Sequence, residues 1–165
     1  MNSILSSSMN KQINTWRDAG DRLVFTNGVF DILHVGHVTY LAAAQKLGHR
    51  LIIGLNSDES VRRLGKGSNR PVHQASDRKK VLEGLRSVDL VVEFTDDTPA
   101  ILIAEIRPDV LVKGGDYDPD CKDSSDPTFI VGSIETRANG GSVQVIPFVK
   151  GHSTTGIIEK SRTTK

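Results

Sequence analysis

Apolar positions along this chain fall into two alternating patterns. Short, mainly apolar runs, Leu23-Val24-Phe25, Arg50-Leu-Ile-Ile-Gly-Leu55, Leu90-Val-Val-Glu-Phe94, Val110-Leu-Val112 and Val143-Gln-Val-Ile146, predict five strands, the first two of them continuous apolar runs of the buried, central kind. Between them, apolar residues return at helical spacing. Helices are predicted from Asn10 to Ala19, closed by Gly20; after His34, with Val38, Leu41, Ala42 and Leu47 inward; and from Glu59 to Leu64. Others follow from Ser76 to Arg86, with Ser76 as cap and Val81, Leu82 and Leu85 as core stripe, and over Thr98 to Ile106 and Ile130 to Ala138. Strand and helix alternate throughout, which predicts an α/β fold: a parallel five-stranded sheet with helices on both faces. Right-handed crossovers then place every strand's carboxyl end on one rim.

The division into units is simple. Residues 1–21 read as an N-terminal tail and helix, with 1–9 frayed and Trp16 and Ile13 packing on the sheet; residues 22–165 read as one domain. The polar, Pro-broken stretch Asp118 to Pro127 has no periodicity and predicts a mobile loop.

Candidate chemistry gathers where strands end. Phe25-Thr26-Asn27-Gly28-Val29-Phe30-Asp31-Ile32-Leu33-His34-Val35-Gly36-His37 is a strand, a tight turn and a helix start in sequence. Such a unit aims backbone N–H groups and the positive end of a helix dipole into one crevice, where a phosphate is stabilised. His34 and His37 share a face of the first turn, and Gly36 lets a ligand approach the backbone. A His-x-x-His pair could equally hold a metal, but no third ligand stands at the right spacing nearby. Asn56-Ser57-Asp58 ends the second strand and serves as helix cap, ligand contact, or both. Gly65-Lys66-Gly67-Ser68-Asn69-Arg70-Pro71 is a basic glycine-rich loop, a solvated turn or a lid over a nucleotide. Lys113-Gly114-Gly115-Asp116-Tyr117 leaves the fourth strand as a solvated strand end or a phosphate clamp, the clamp favoured by glycines that allow close approach. Ser153-Thr154-Thr155 opens a last helix; one hydroxyl would suffice as a cap, and three form a second anion site across the rim from the first.

Gly-x-Phe-Asp-x-x-His-x-Gly-His behind a strand resembles the signature of the His-x-Gly-His nucleotidyltransferase (cytidylyltransferase-like) superfamily. Together with Lys113-Gly114-Gly115-Asp116-Tyr117 and Ser153-Thr154-Thr155, it is most similar to the adenylyltransferases acting on D-glycero-β-D-manno-heptose 1-phosphate, over about Arg22 to Lys160. The resemblance implies a Rossmann-like doubly wound sheet and transfer of AMP from ATP to a sugar 1-phosphate, giving ADP-heptose and pyrophosphate for lipopolysaccharide or cell-surface glycan synthesis. It implies His34, His37 and Lys113 as catalytic residues. Asn27, Gly28, Phe30, Gly36, Asn56, Asp58, Arg70, Ser153, Thr154 and Thr155 would bind the nucleotide, and Asp31, Gly114 and Asp116 the sugar phosphate. Mg²⁺ would arrive on the triphosphate with no metal fixed by protein ligands. A homodimer and a separate sugar kinase upstream are implied partners. The chain departs from relatives at Val29, where several carry threonine; at Phe148, where glycerol-3-phosphate cytidylyltransferases carry arginine; and at His152, where heptose-type relatives carry cysteine.

Composition narrows this further. With 21 basic and 20 acidic residues there is no whole-protein field to collect nucleic acid or an anionic membrane, so affinity for phosphate must be local. One cysteine, Cys121, forms no intramolecular disulfide, and no signal peptide or membrane span is evident, which predicts a cytoplasmic enzyme. No nucleophile–base pair for covalent catalysis stands out, so transfer by positioning and charge neutralisation is expected. Two alternatives remain open at this point: a CTP-dependent cytidylyltransferase acting on another phosphorylated acceptor, and a nucleotide sensor without turnover.

Overall fold

The computed structural model describes residues 3–65, 69–149 and 151–163. Five strands, β1 (Leu23–Gly28), β2 (Arg50–Asn56), β3 (Leu90–Phe94), β4 (Val110–Gly114) and β5 (Ser142–Ile146), form one all-parallel sheet in the order β3-β2-β1-β4-β5. Around it lie α1 (Ser7–Asp18), α2 (Val35–Gln45), α3 (Asp58–Arg63), α4 (Ala75–Glu83), α5 (Ala100–Ile106), α6 (Ser133–Ala138) and α7 (Thr154–Thr163). The expected α/β sheet and its five strands are all present.

Side chains of successive strand residues point to opposite faces, so the unbroken apolar runs feed two cores. Leu23, Phe25, Ile52 and Leu111 join Ile13 and Trp16 of α1 and Leu102, Ile103 and Ile106 of α5 on one face. Val24, Leu51, Ile53 and Val110 join Leu41 and Ala44 of α2 and Leu82 of α4 on the other. Helices therefore cover both faces, as a doubly wound sheet requires.

Several boundaries differ from the sequence-based expectation. The tail is not frayed from residue 3 onward: α1 starts at Ser7, with Ser6 as cap, Leu5 is buried, and the N–H groups of Ile4 and Leu5 donate to the Glu105 carboxylate of α5 at 3.1 and 3.0 Å. A helix elsewhere in the chain supplies the acceptor, which no local pattern reveals. Helix α4 begins at Ala75 after Gln74, without a Ser76 cap, and its inward face is that of Arg78 and Leu82, four apart; this turns Val81 out to solvent. In α2 the inward face narrows to Leu41 and Ala44, and Val38 is exposed. The stretch 118–127, expected as a loop, is one, built as a series of aspartate-capped turns. Asp118, Asp123 and Asp126 each accept from the N–H two residues on, and the Asp118 N–H donates to the Thr128 carbonyl.

Candidate active site

The strand order reverses direction at β1, so the edge between β1 and β4 is the topological switch point where open α/β sheets take ligands. The two strands pair there only through Val24–Val110 and Phe25–Leu111, whereas β1 pairs with β2 along its whole length and β4 with β5 likewise. Beyond Phe25 and Leu111 the sheet opens. A side chain bridges the gap, Lys113 Nζ donating to Asn27 Oδ1 at 2.6 Å, and beside it the Tyr40 hydroxyl of α2 meets Thr26 Oγ1 of β1 at 2.7 Å. Burial pushes the Tyr40 phenol well above its ordinary value, so it stays protonated.

Above the gap stand the two imidazoles. His34 caps α2 with extended backbone, and His37 lies in the first turn; their rings stack with centroids 3.9 Å apart. Phe30 meets the His37 ring edge-on at 5.3 Å, and holds a left-handed backbone (φ 46°) that a bulky residue adopts only where surroundings enforce it. Burial first, and the neighbouring His34 second, push His37 down to about 4. His34 is lowered too, by burial first and by His152 second. Both rings are therefore neutral near pH 7, each with a single N–H to give. Nδ1 of each is buried with no hydrogen-bond partner, so the nitrogen left for a ligand is Nε2. The bare Cα of Gly36, which lines the cavity, also makes room for protein: a methyl there would lie 2.9 Å from the His34 ring and 3.3 Å from Cβ of His152.

The second helix start faces the first. Ser153 Oγ accepts the Gly156 N–H at 3.0 Å, an ordinary helix cap that leaves its own proton to donate, and Thr154 Oγ1 donates to the Ile32 carbonyl of the signature loop at 3.5 Å. The pair Gly114-Gly115 also serves a different neighbour from the one expected. The space above it is taken by the exposed ring of Phe148; a Cβ on Gly115 (φ 90°) would come within 2.0 Å of that ring.

Two buried ion pairs hold the floor and wall. The Asp31 carboxylate, without exposed surface, accepts from Arg70 Nε and from the N–H groups of Val72 (2.8 Å) and His73 (3.0 Å). Burial alone would raise this carboxyl; the N–H groups of His73 and Val72 and the Arg70 guanidinium outweigh it and hold it below its ordinary value. Asp31 thus positions Arg70 at the cavity, rather than presenting its own carboxylate to a substrate. Arg78, fully buried, donates to the carbonyls of Val29 (2.7 Å), Asn56 (2.9 Å) and His73 (3.0 Å) and to Asp58 Oδ1 (2.7 Å).

One cavity of about 1120 Å³ is lined by His34, His37 and Lys113, by Asn27, Gly28, Phe30, Gly36, Asn56, Arg70, Ser153, Thr154 and Thr155, and by Asp31 and Gly114. Two expected members are elsewhere: Asp58 is turned to Arg78 beneath the floor, and Asp116 does not line the cavity. Of the basic loop, residues 66–68 lie outside the described residues, Lys66 among them. Sequence reasoning missed Arg78, whose signal is lost in the run Asp77-Arg78-Lys79-Lys80, and the wall formed by Tyr40, Tyr117 and Phe129. Tyr40, three residues after His37 on the same helix face, was the one findable member. Of the cavity's carboxylates, Asp31 is held by Arg70, and Asp97 accepts from Arg63. Among the described residues no three metal-ligating side chains converge. The donor set of imidazole N–H, lysine, arginine, hydroxyls and helix N-termini suits the oxygens of a polyphosphate and any cation they carry.

A parallel sheet open at its switch point, with cationic and neutral donors converging there, defines a nucleotide-handling α/β protein of phosphoryl-transfer type. The chain belongs to the cytidylyltransferase-like family, whose pattern matches residues 25–160, and so to the nucleotidyltransferases. It is 54% identical over 146 residues to the bifunctional protein HldE of Haemophilus influenzae (strain PittEE), covering 88% of this chain and 29% of that protein. It is also 56% identical over 144 residues to HldE of Cronobacter sakazakii, covering 87% and 28%. The chain thus spans less than a third of the length of these curated relatives. Among solved structures, the lipopolysaccharide core biosynthesis protein from Thermoplasma volcanium GSS1 superposes with a TM-score of 0.60 at 27% identity, over 81% of this chain and all of that one. The pantoate-beta-alanine ligase from Francisella tularensis shares the fold, with a TM-score of 0.56 at 13% identity over 98% of this chain and 76% of that one. No helix among the described residues is long and apolar enough to cross a membrane.

Proposed function

We propose that this chain transfers the adenylyl group of ATP to D-glycero-β-D-manno-heptose 1-phosphate, giving ADP-heptose and pyrophosphate for lipopolysaccharide or another cell-surface glycan. The observation that carries the reading is the convergence of His34, His37 and Lys113 with the α7 start, Ser153 to Thr155, on one cavity at the switch point. The likeness to HldE and to a lipopolysaccharide core biosynthesis protein supports the acceptor.

In this reading an oxygen of the sugar phosphate attacks the α-phosphorus in line. The bond from that phosphorus to the β-bridging oxygen breaks, and its electron pair leaves with pyrophosphate. Lys113 and Arg70 neutralise charge that builds on the phosphate oxygens, while Nε2–H of His34 and His37 donates to them as neutral groups. Neither histidine carries a proton between substrates. The N–H groups and hydroxyls at the α7 start hold the outer phosphates that depart. Mg²⁺, carried on the triphosphate, supplies further charge neutralisation there. The sugar 1-phosphate must come from a phosphorylating enzyme, and the working form is a homodimer.

Pyrophosphate release tests this directly, with ATP, CTP, GTP and UTP offered against heptose, hexose and glycerol phosphates. ATP with heptose 1-phosphate should stand far above the other pairs. A preference for CTP would replace the adenylyl reading with a cytidylyl one, and no turnover with any pair would leave a binding protein.

A further inference from the structure

We propose that His152 is a third polyphosphate-binding imidazole of this site, working with His34 and His37 to grip the outer phosphates of the nucleotide; the inference rests on the nucleotidyltransferase reading above. The residue immediately precedes Ser153, the cap of α7, and lines the cavity. Its ring lies 6.4 Å from that of His34, centroid to centroid, with only 28° between the planes. That is too far for the rings to touch, and close enough for one phosphate group to accept from both at about 2.9 Å each. The arrangement is built into the backbone. Gly36 brings the α2 start within van der Waals reach of Cβ of His152, and no larger residue at 36 leaves that space. Thr154, two residues on, ties the same segment to the Ile32 carbonyl of the signature loop.

His152 differs from its two neighbours in one respect. His34 and His37 are stacked and desolvated, which keeps them neutral, whereas the ring of His152 is exposed. The groups sharing the cavity with it are the imidazoles of His34 and His37, Arg70 and Lys113; of the carboxylates there, Asp31 is joined to Arg70 and Asp97 to Arg63. Beside this cluster the exposed imidazole of His152 adds one more donor for the outer phosphates.

Titration calorimetry of inorganic tripolyphosphate at pH 7 reads the affinity directly. His152→Asn should bind about tenfold more weakly or worse, as removal of one bond to phosphate implies. His152→Lys should recover affinity. Equal affinity in wild type and His152→Asn would overturn the proposal. The same holds if His152→Gln, a second neutral variant, binds as wild type does. Wild-type protein inactive with every triphosphate and acceptor would overturn the proposed reaction alone, because the tripolyphosphate arm is scored without turnover.

Discussion

Lys113 Nζ and Asn27 Oδ1 lie 2.6 Å apart, joining the ends of β4 and β1 just where those strands stop pairing with each other. The bond places a cation at the centre of the switch-point crevice and fixes its height above the sheet. Lys113→Met should lower kcat/KM by roughly a hundredfold or more, the scale of losing one oriented donor. Its thermal midpoint should fall by only a few degrees, since one half-buried hydrogen bond contributes about 1 kcal/mol. Lys113→Arg should retain part of the activity, because the charge persists while its geometry changes. Normal turnover in the Met variant would remove Lys113 from the chemistry.

His37 is expected to act on the transition state more than on bound ATP. His37→Ala should cut kcat by about a hundredfold or more with a much smaller change in the dissociation constant for ATP. A loss of affinity as large as the loss of turnover would make it a ground-state binder.

Arg78 bears on stability. Its guanidinium, itself buried, supplies donors to three carbonyls and to Asp58. Arg78→Met leaves the carbonyls of Val29 and Asn56 buried and unpaired, so it should destabilise by about 3–5 kcal/mol, lowering the midpoint by roughly 10 °C. Asp58→Asn should do much less, since Asp58 is partly exposed. A small shift for Arg78→Met would show that water or repacking satisfies the carbonyls.

The histidine pair predicts a particular pH dependence. His37 falls from an ordinary 6.5 to about 4 in the fold, so below 6.5 the unfolded chain binds a proton that the native state refuses. Its contribution is full above about 6.5 and is lost as pH falls toward 4; His34, lowered in the same direction, adds to the trend. The midpoint of the wild type should therefore drop over this window more steeply than that of His37→Gln. Parallel curves would mean that His37 titrates alike in both states. Saturating ATP, whose phosphates favour the charged imidazole, should flatten the wild-type slope.

Much of this protein is written locally. Unbroken apolar runs between helical stretches can only be strands covered on both sides, and short crossovers then make them parallel and align their carboxyl ends. The strand–turn–helix unit ending at His37, the Lys113 strand end and the Ser153 cap are likewise properties of neighbouring residues. Their place on one rim follows from strand direction alone. What the chain by itself left undecided is what each polar group faces. Asp31 and Asp58 look like site carboxylates in sequence, yet one is held by Arg70, 39 residues away, and the other by Arg78, 20 residues away. The glycines at 36 and 115 promise access for a ligand, and the fold also uses them to admit the rings of His34 and Phe148. The N-terminal residues look unanchored until Glu105 of α5 meets them. Pairings of this kind depend on the folded path of distant segments, and desolvation depends on everything that surrounds a group. Only the tertiary structure, therefore, decided which imidazoles are neutral, which carboxylates position an arginine, and that His152 joins the pair at the start of α2.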